Sequence, residues 1–371
     1  MAVLCKLRSN GEPATRWPPT KQRFHSREMN IRFLFVGVMA SICLSVPSAK
    51  ATEEPALTRL LSAAVARFPG KMTAYVKHLP SGKEASVAQD EPMHALSVIK
   101  LAALAKAYEM AEKGALNLDA RVVLKSSDLR GGSGIFQYHA PGLNPTIRDL
   151  LIQMIITSDN TATDMVLMRV GGVDELNRWL AERGFKMRMH FTLNSAFAIT
   201  ATALTPLAKG LPENELNAVF VSQRSGELTP LGKAAAQELG KQENWLGVCE
   251  KFKDPSLWLG TTSANDMGRL LEQIETAKLA SKAGSEEMMD MLKGQQAGAR
   301  RIPMYLDQEY TIGHKTGDFP PCAANDVGVV YLRSGPTIMV FLSDQIRGNY
   351  GEAEVRIGEI ARTVAEYFDG K

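Results

Sequence analysis

Apolar residues recur along the chain with two different periods, and the switches between them mark out its elements. Pro55 to Phe68 carries them at amphipathic-helix spacing. Lys71 to His78 alternates as a strand, and Pro80-Ser81-Gly82 turns the chain into a second short strand near Ala85–Val87. The run Leu101 to Ala111 has neither glycine nor proline and predicts a helix. Thr146 is placed to cap another, Ile147–Thr157, with Leu150, Leu151, Met154 and Ile155 inward. Thr161–Val170 reads as helix again, and after Gly171-Gly172 a further helix runs to about Arg183 and stops at Gly184. Residues 185–260 break this regularity, with apolar patches at Ala196–Ala203 and Ala218–Val221, several prolines, and one helix-like stretch at Gly232–Leu239. Beyond Thr261 the pattern predicts helices at Asn265–Thr276 and Glu286–Leu292, and strands at Tyr310–His314, Val327–Leu332 and Thr337–Ser343. Glu352–Phe368 closes the chain as a helix. Strands at both ends enclosing a helical middle predict an α/β (α+β) fold, an antiparallel sheet domain formed by both chain ends with an all-helical domain inserted.

Composition changes this picture mainly at the N-terminus. The 371 residues are 45% hydrophobic and 22% charged, an ordinary globular balance. The formal charge of +3 is concentrated in the first 51 residues, which hold eight Lys and Arg against two Asp and Glu. The remainder has 35 basic and 38 acidic residues, so no basic stripe recommends a nucleic-acid partner. Asn30-Ile31-Arg32 followed by apolar Phe33–Val46 and by Ala49-Lys50-Ala51 has the form of an export signal with a small-x-small cleavage site. The apolar run is too short to span a bilayer, and Ile42 and Leu44 around Cys43 do not form a lipid-attachment box. Met29 directly precedes the signal and is the expected true start, with the mature chain beginning at Thr52 and released to the periplasm or medium without stable membrane insertion. Residues 52–371 are expected to form one catalytic domain that includes a 195–260 insertion. The mature chain keeps Cys249 and Cys322, and export permits a disulfide, but spacing alone leaves open whether they pair. No Cys/His cluster has metal-ligand spacing.

Three short motifs carry candidate chemistry. Ser97-Val98-Ile99-Lys100 stands before the Leu101–Ala111 helix, which sets Lys100 one turn from Ser97 on the same face. A serine hydroxyl becomes a nucleophile when a nearby base takes its proton, and a lysine serves if desolvation or a second cation lowers its pKa. Alone, the motif is equally an N-cap serine with a solvated lysine. Ser158-Asp159-Asn160 lies between two apolar helices. Asp159 suits a helix cap, while Ser158 and Asn160 suit proton relay and an amide that holds a substrate carbonyl. Lys315-Thr316-Gly317 follows the Tyr310–His314 strand as a candidate carboxylate-binding wall, its glycine allowing close backbone approach.

In this order and in these contexts the three motifs resemble those of the penicillin-recognising serine enzymes, and the chain is most similar to the class A β-lactamases. The similarity extends to Gly132-Ser133-Gly134-Ile135, Thr161-Ala162, Gly171-Gly172, Thr261-Thr262 before Met267, and Asn325-Asp326-Val327-Gly328, and covers roughly residues 55–195 and 261–369. The resemblance implies a β-lactamase/D,D-peptidase-like fold, a monomer, and no metal or cofactor. It implies Ser97 as the acylated nucleophile, Lys100 as its partner in proton transfer and Ser158 as proton donor to the leaving nitrogen. It further implies Asn160 at the substrate amide, Lys315, Thr316 and Gly317 at the β-lactam carboxylate, and the backbone N–H groups of Ser97 and Asp318 as an oxyanion hole. Arg301, before Ile302-Pro303, falls where some members place a carboxylate-supporting arginine.

One segment departs from the family. Its deacylating glutamate belongs to Arg-x-Glu-x-x-Leu-Asn, but Arg188-Met189-His190-Phe191-Thr192-Leu193-Asn194 puts His190 in that place. A partial second match, Glu213-Asn214-Glu215-Leu216-Asn217, keeps the glutamate but has Leu211 where the arginine belongs. Spacing favours His190 and chemistry favours Glu213, and the absence of an efficient base is the third possibility. The expected function is an exported serine hydrolase that opens β-lactams through a Ser97 acyl-enzyme. The alternatives are a D,D-peptidase-like hydrolase of peptidoglycan-like acyl substrates and a β-lactam-binding or sensing protein that acylates but barely turns over.

Overall fold

The computed structural model describes residues 52–241 and 243–370. The export signal read in residues 1–51 lies outside them. The chain opens with β1 (Thr52–Glu53), α1 (Pro55–Val65), β2 (Lys71–His78), β3 (Lys83–Val87) and β4 (Met93–His94). The helical middle comprises α2 (Lys100–Glu112), α3 (Ile147–Ile156), α4 (Asn160–Arg169) and α5 (Gly172–Glu182). After β5 (Arg188–Met189) come α6 (Leu193–Leu204), α7 (Glu213–Ala218), α8 (Pro230–Leu239) and α9 (Glu243–Lys251), then β6 (Gly260–Thr262), α10 (Ala264–Glu275) and α11 (Lys282–Lys293). β7 (Thr311–Phe319), β8 (Ala323–Leu332), β9 (Gly335–Asp344) and α12 (Tyr350–Asp369) complete it.

The main sheet runs in the order β1-β3-β2-β9-β8-β7. N-terminal β2 pairs antiparallel with C-terminal β9 from Lys71 opposite Asp344 to His78 opposite Thr337, so both chain ends build one sheet, as the pattern predicts. Only the short β1–β3 pair is parallel among the described strands. Both faces are covered. Met72, Ala74 and Val76 of β2 pack with Leu57, Leu61, Ile357 and Ala361 of α1 and α12, while Tyr75 turns to the larger core with Met267, Leu270 and Leu271 of α10. At the centre of that second core lies α2, whose residues from Lys100 to Tyr108 are all buried. A helix buried on every side holds its residues rigidly, including any polar ones.

Three local expectations shift. The strand expected to end at His314 continues to Phe319, because its pairing with β8 runs unbroken through Lys315 opposite Val327 and Thr316 opposite Asp326. The Lys-Thr-Gly motif therefore lies within β7, on the sheet's edge strand. A three-stranded sheet, β4-β6-β5, has pairs too short to leave a period in the sequence. The irregular 185–260 stretch folds into α6–α9, with its prolines in the connecting turns or, for Pro230, at the first position of α8. Cys249 of α9 and Cys322 in the β7–β8 turn form a disulfide with Cα atoms 5.3 Å apart. Beside it, the ring of His94 stacks on Trp258 at 5.4 Å and meets Phe319 edge-on, so aromatic contacts also join this segment to β4 and β7. Among the described residues no helix is long and apolar enough to cross a membrane.

Candidate active site

Ser97 sits in a 3₁₀ turn, Leu96–Ile99, that runs directly into α2, so the α-helix begins at Lys100 rather than at Ser97. Leu96 just before it has φ +50°. That left-handed conformation costs a non-glycine residue roughly 1–2 kcal/mol and persists only where the surroundings impose it. Here Ala95 N–H donates to Gly260 O at 2.9 Å, and Asn325 Nδ2 donates to His94 O at 2.9 Å and to Ala95 O at 3.3 Å. β7 closes over the turn at Gly317, where a Cβ would stand 2.9 Å from Leu96 Cβ and 3.3 Å from Ala95 O. The motif's glycine is thus required by approach distance.

Lys100 is 1% exposed. Its Nζ donates to Ser158 O at 2.7 Å, to Asn160 Oδ1 at 2.8 Å and to Ser158 Oγ at 3.2 Å. From the sheet side Lys315 Nζ donates to the same Ser158 Oγ at 3.0 Å and to Thr316 O at 2.9 Å. Ser158 itself has φ +55°, a second strained non-glycine residue, and its hydroxyl lies between the two lysine nitrogens. Burial pushes the Lys100 amine well below its ordinary pKa, and the positive charge of Lys315 adds to that against the pull of Asp159, Asp164 and Asp318. Burial likewise lowers Lys315, to about 7, with Asp318 and Asp326 opposing and Arg301 reinforcing the shift. A desolvated amine beside a hydroxyl is a proton acceptor, which is what nucleophilic serine chemistry needs.

Asp159 takes the structural role. Its carboxylate accepts from Ala162 N–H, capping α4, and from Phe136 N–H, both at 2.8 Å. Gly134, at φ +101°, leaves room for it: a Cβ there would lie 2.3 Å from Asp159. Asn160 is locked from both ends, its Nδ2 donating to Gly131 O at 2.9 Å while Oδ1 accepts from Lys100. Thr316 Oγ1 is buried and has no hydrogen-bond partner among the described residues, a polar atom left for a ligand. Arg301 is also 1% exposed. It pairs with Asp318 and Glu354, donates to Asn325 O at 2.8 Å, and donates to Tyr350 Oη at 3.0 Å.

His190 and Glu213 take different places. His190 directly follows β5, with its Nε2 3.1 Å from Thr261 Oγ1 of β6. Burial lowers its pKa, Arg188 lowers it further, and the nearby Trp258 carbonyl opposes them. Glu213 begins α7, and its side chain lies outside the described residues. Its neighbour Glu215 is structural, accepting from Thr229 N–H and Oγ1. Two further positioning residues escaped the motif search. Asn325 anchors the turn before Ser97, and Asp164 of α4 accepts from Leu193 N–H at 2.7 Å, Asn194 N–H at 3.0 Å and Arg130 Nε at 2.7 Å. Asn325 stood in a segment noted for family similarity, whereas Asp164, one polar position on a helix, gave no signal.

Comparison with known proteins agrees with this geometry. Residues 56–368 match the model of the β-lactamase enzyme family. The chain is 30% identical over 165 residues to β-lactamase L2 of Stenotrophomonas maltophilia, a match spanning 41% of this chain and 54% of that protein, about half its length. It is 21% identical over 313 residues to β-lactamase Toho-1 of Escherichia coli, covering 84% of this chain and 89% of that one. Among solved structures, PBP-A superimposes with a TM-score of 0.64 at 20% identity, covering 87% of this chain and all of its own. An ancestral (GNCA) class A β-lactamase gives 0.64 at 21% identity, covering 84% of this chain and all of its own. With a family match over most of its length and the fold of these neighbours, the chain belongs to the β-lactamase enzyme family, in keeping with its class A resemblance.

Proposed function

We propose that this protein is an exported serine hydrolase that opens β-lactams through an acyl-enzyme on Ser97. The observation that carries the proposal is the convergence of two desolvated lysines on one serine hydroxyl, Lys100 Nζ at 3.2 Å and Lys315 Nζ at 3.0 Å from Ser158 Oγ. Lys100, whose amine burial holds well below the ordinary lysine range, takes the Ser97 proton as Oγ attacks the lactam carbonyl. Backbone N–H groups of Ser97 and Asp318 receive the oxyanion, a contribution of about 10²–10³ in rate for one such donor. The ring C–N bond then breaks, and the nitrogen leaves with the Ser158 proton, which Lys100 replaces from the one it took. Asn160 holds the side-chain amide of the substrate, and Thr316 Oγ1 meets its carboxylate end. Water hydrolyses the resulting ester.

Deacylation is the slow step on this reading. His190 Nε2 lies 3.1 Å from Thr261 Oγ1, and the Trp258 backbone engages the same ring. A histidine so engaged is poorly placed to activate water. That favours as second reading a β-lactam-binding or D,D-peptidase-like protein. Intact-mass measurement of the mature protein mixed with benzylpenicillin, followed over time, tests both. An adduct of the drug's mass that decays, with steady nitrocefin turnover, supports the hydrolase. A permanent adduct supports the second reading, and no adduct at all sinks both.

A further inference from the structure

The helix α6 carries no charged side chain from Leu193 to Leu204. Only Leu193 and Ala201 in it are buried, and the rest are half-buried. A helix face open to water ordinarily carries charge, so one that is uncharged and partly open suits an apolar ligand. Its place in the fold indicates which part of a ligand that is. Gly132 has φ +78°, and a Cβ there would stand 2.9 Å from Asn160 Nδ2 and 3.0 Å from Phe197 Cζ. The Phe197 ring thus borders the Asn160 amide, and the glycine leaves the space beside both unfilled.

That ring is held in position. Phe220 packs against it with ring centroids 5.0 Å apart. Phe220 is itself seated on the neighbouring glycine, where a Cβ on Gly131 would lie 2.7 Å from Phe220 Cβ. Asn217 Nδ2 of α7 donates to Leu129 O at 2.9 Å, and Gly131 O accepts from Asn160 Nδ2 at 2.9 Å. The 129–132 loop therefore ties the aromatic pair to Asn160. A third ring placed against such a pair gains more than its buried area supplies. Phe197 and Phe220 lie within the 195–260 stretch, outside the segments that resemble the class A enzymes, so this wall is the chain's own.

We propose that Phe197, backed by Phe220, is a specificity-determining residue that walls the place of the acyl side chain beside Asn160 and selects substrates bearing an aryl group there. The inference rests on the β-lactam reading above and names the side chain of its substrate. The carboxylate end at Thr316 is untouched by it.

The test reads binding without acylation, on the mature chain carrying Ser97→Ala. Calorimetry compares benzylpenicillin with its analogue that carries acetyl in place of phenylacetyl. The two share nucleus, carboxylate and side-chain amide and differ only in the phenyl ring. The benzyl compound is expected to bind about tenfold tighter. Adding Phe197→Ala should bring the two within about threefold of each other by weakening the benzyl compound more than the acetyl one. If the alanine variant folds poorly, Phe197→Leu, which keeps an apolar contact with Phe220, should still lower the ratio about threefold. Equal binding of the two compounds with Phe197 present overturns the inference, as does no binding of either. An unchanged ratio in a folded variant overturns it too, whether both affinities hold or both fall together. Tighter binding of the benzyl compound once the ring is removed would make Phe197 a plug and has the same force. Labelling of the parent protein at Ser97, measured separately, decides the acyl-enzyme reading on its own.

Discussion

Ser158 Oγ accepts a 3.0 Å hydrogen bond from Lys315 Nζ across 157 residues of sequence. The serine sits in the middle of the helical region's α3–α4 connection and the lysine lies on the sheet's edge strand, so this contact spans the two halves of the fold at the point where chemistry is proposed. Both partners are buried, which makes the contact geometrically demanding and sensitive to small shifts of either half.

Ser97→Ala should abolish covalent labelling by penicillins while leaving the far-ultraviolet circular dichroism unchanged. The substitution removes the attacking oxygen from a half-exposed turn residue that makes no part of the core. Unchanged adduct yield, measured by intact mass, would remove Ser97 from the mechanism.

Lys315 gives stability a pH dependence whose sign can be worked out. Its folded pKa of about 7 lies below the roughly 10.4 of an unfolded lysine. Between those values the unfolded chain holds a proton that the folded one has released, so unfolding free energy rises with pH across that window. The slope is about 1.4 kcal/mol per pH unit for one proton, and Lys100, shifted in the same direction, adds to it. Urea unfolding at pH 6, 7.5 and 9 should show increasing stability, and Lys315→Met should flatten the curve. Stability that falls steadily over this range contradicts the shift.

Gly317→Ala should damage the site more than the fold. The new methyl would press on Leu96 Cβ at 2.9 Å and push β7 away from the turn that carries Ser97. A misplacement of about 1 Å can cost on the order of 10² in rate. The expected outcome is an acylation rate lower by about that factor in a protein whose thermal midpoint changes by a few degrees. Wild-type acylation would mean that the strand and turn tolerate separation.

His190→Ala addresses deacylation. With its ring on Thr261 and beside the Trp258 carbonyl, His190 is expected to act structurally, and the lifetime of the acyl-enzyme should change by less than about threefold. Lengthening by tenfold or more, with a parent rate that rises through pH 6–7, would instead make the imidazole the base.

Much of this was legible in the sequence because it rests on local causes. The strand over Lys71–His78, the Thr146 cap, and the inward Leu150, Leu151, Met154 and Ile155 all follow from residues within a few positions of one another. The three motifs were visible for the same reason. What stayed hidden depends on long-range geometry. The Cys249–Cys322 bridge needs two Cα atoms brought within 5.3 Å from 73 residues apart. The pairing of Arg301 with Asp318 needs the turn before β7 to fold back against that strand, which no periodicity encodes. Residues 185–260 resisted because their helices are short and follow one another across proline-bearing turns, and isolated segments of that length carry little helical signal.

The antiparallel pairing of β2 with β9 also has a consequence in time. A ribosome or an export channel delivers β2 early and β9 nearly last, and β7, which bears Lys315, comes only shortly before it. Contacts this distant in sequence form late and slowly. Until they form, Ser158 lacks one of its two lysines and the Ser97 turn lacks the strand that presses on it. On the acyl-enzyme proposal, the emerging chain has no working site until these contacts form, and penicillin labelling is expected to measure finished folding.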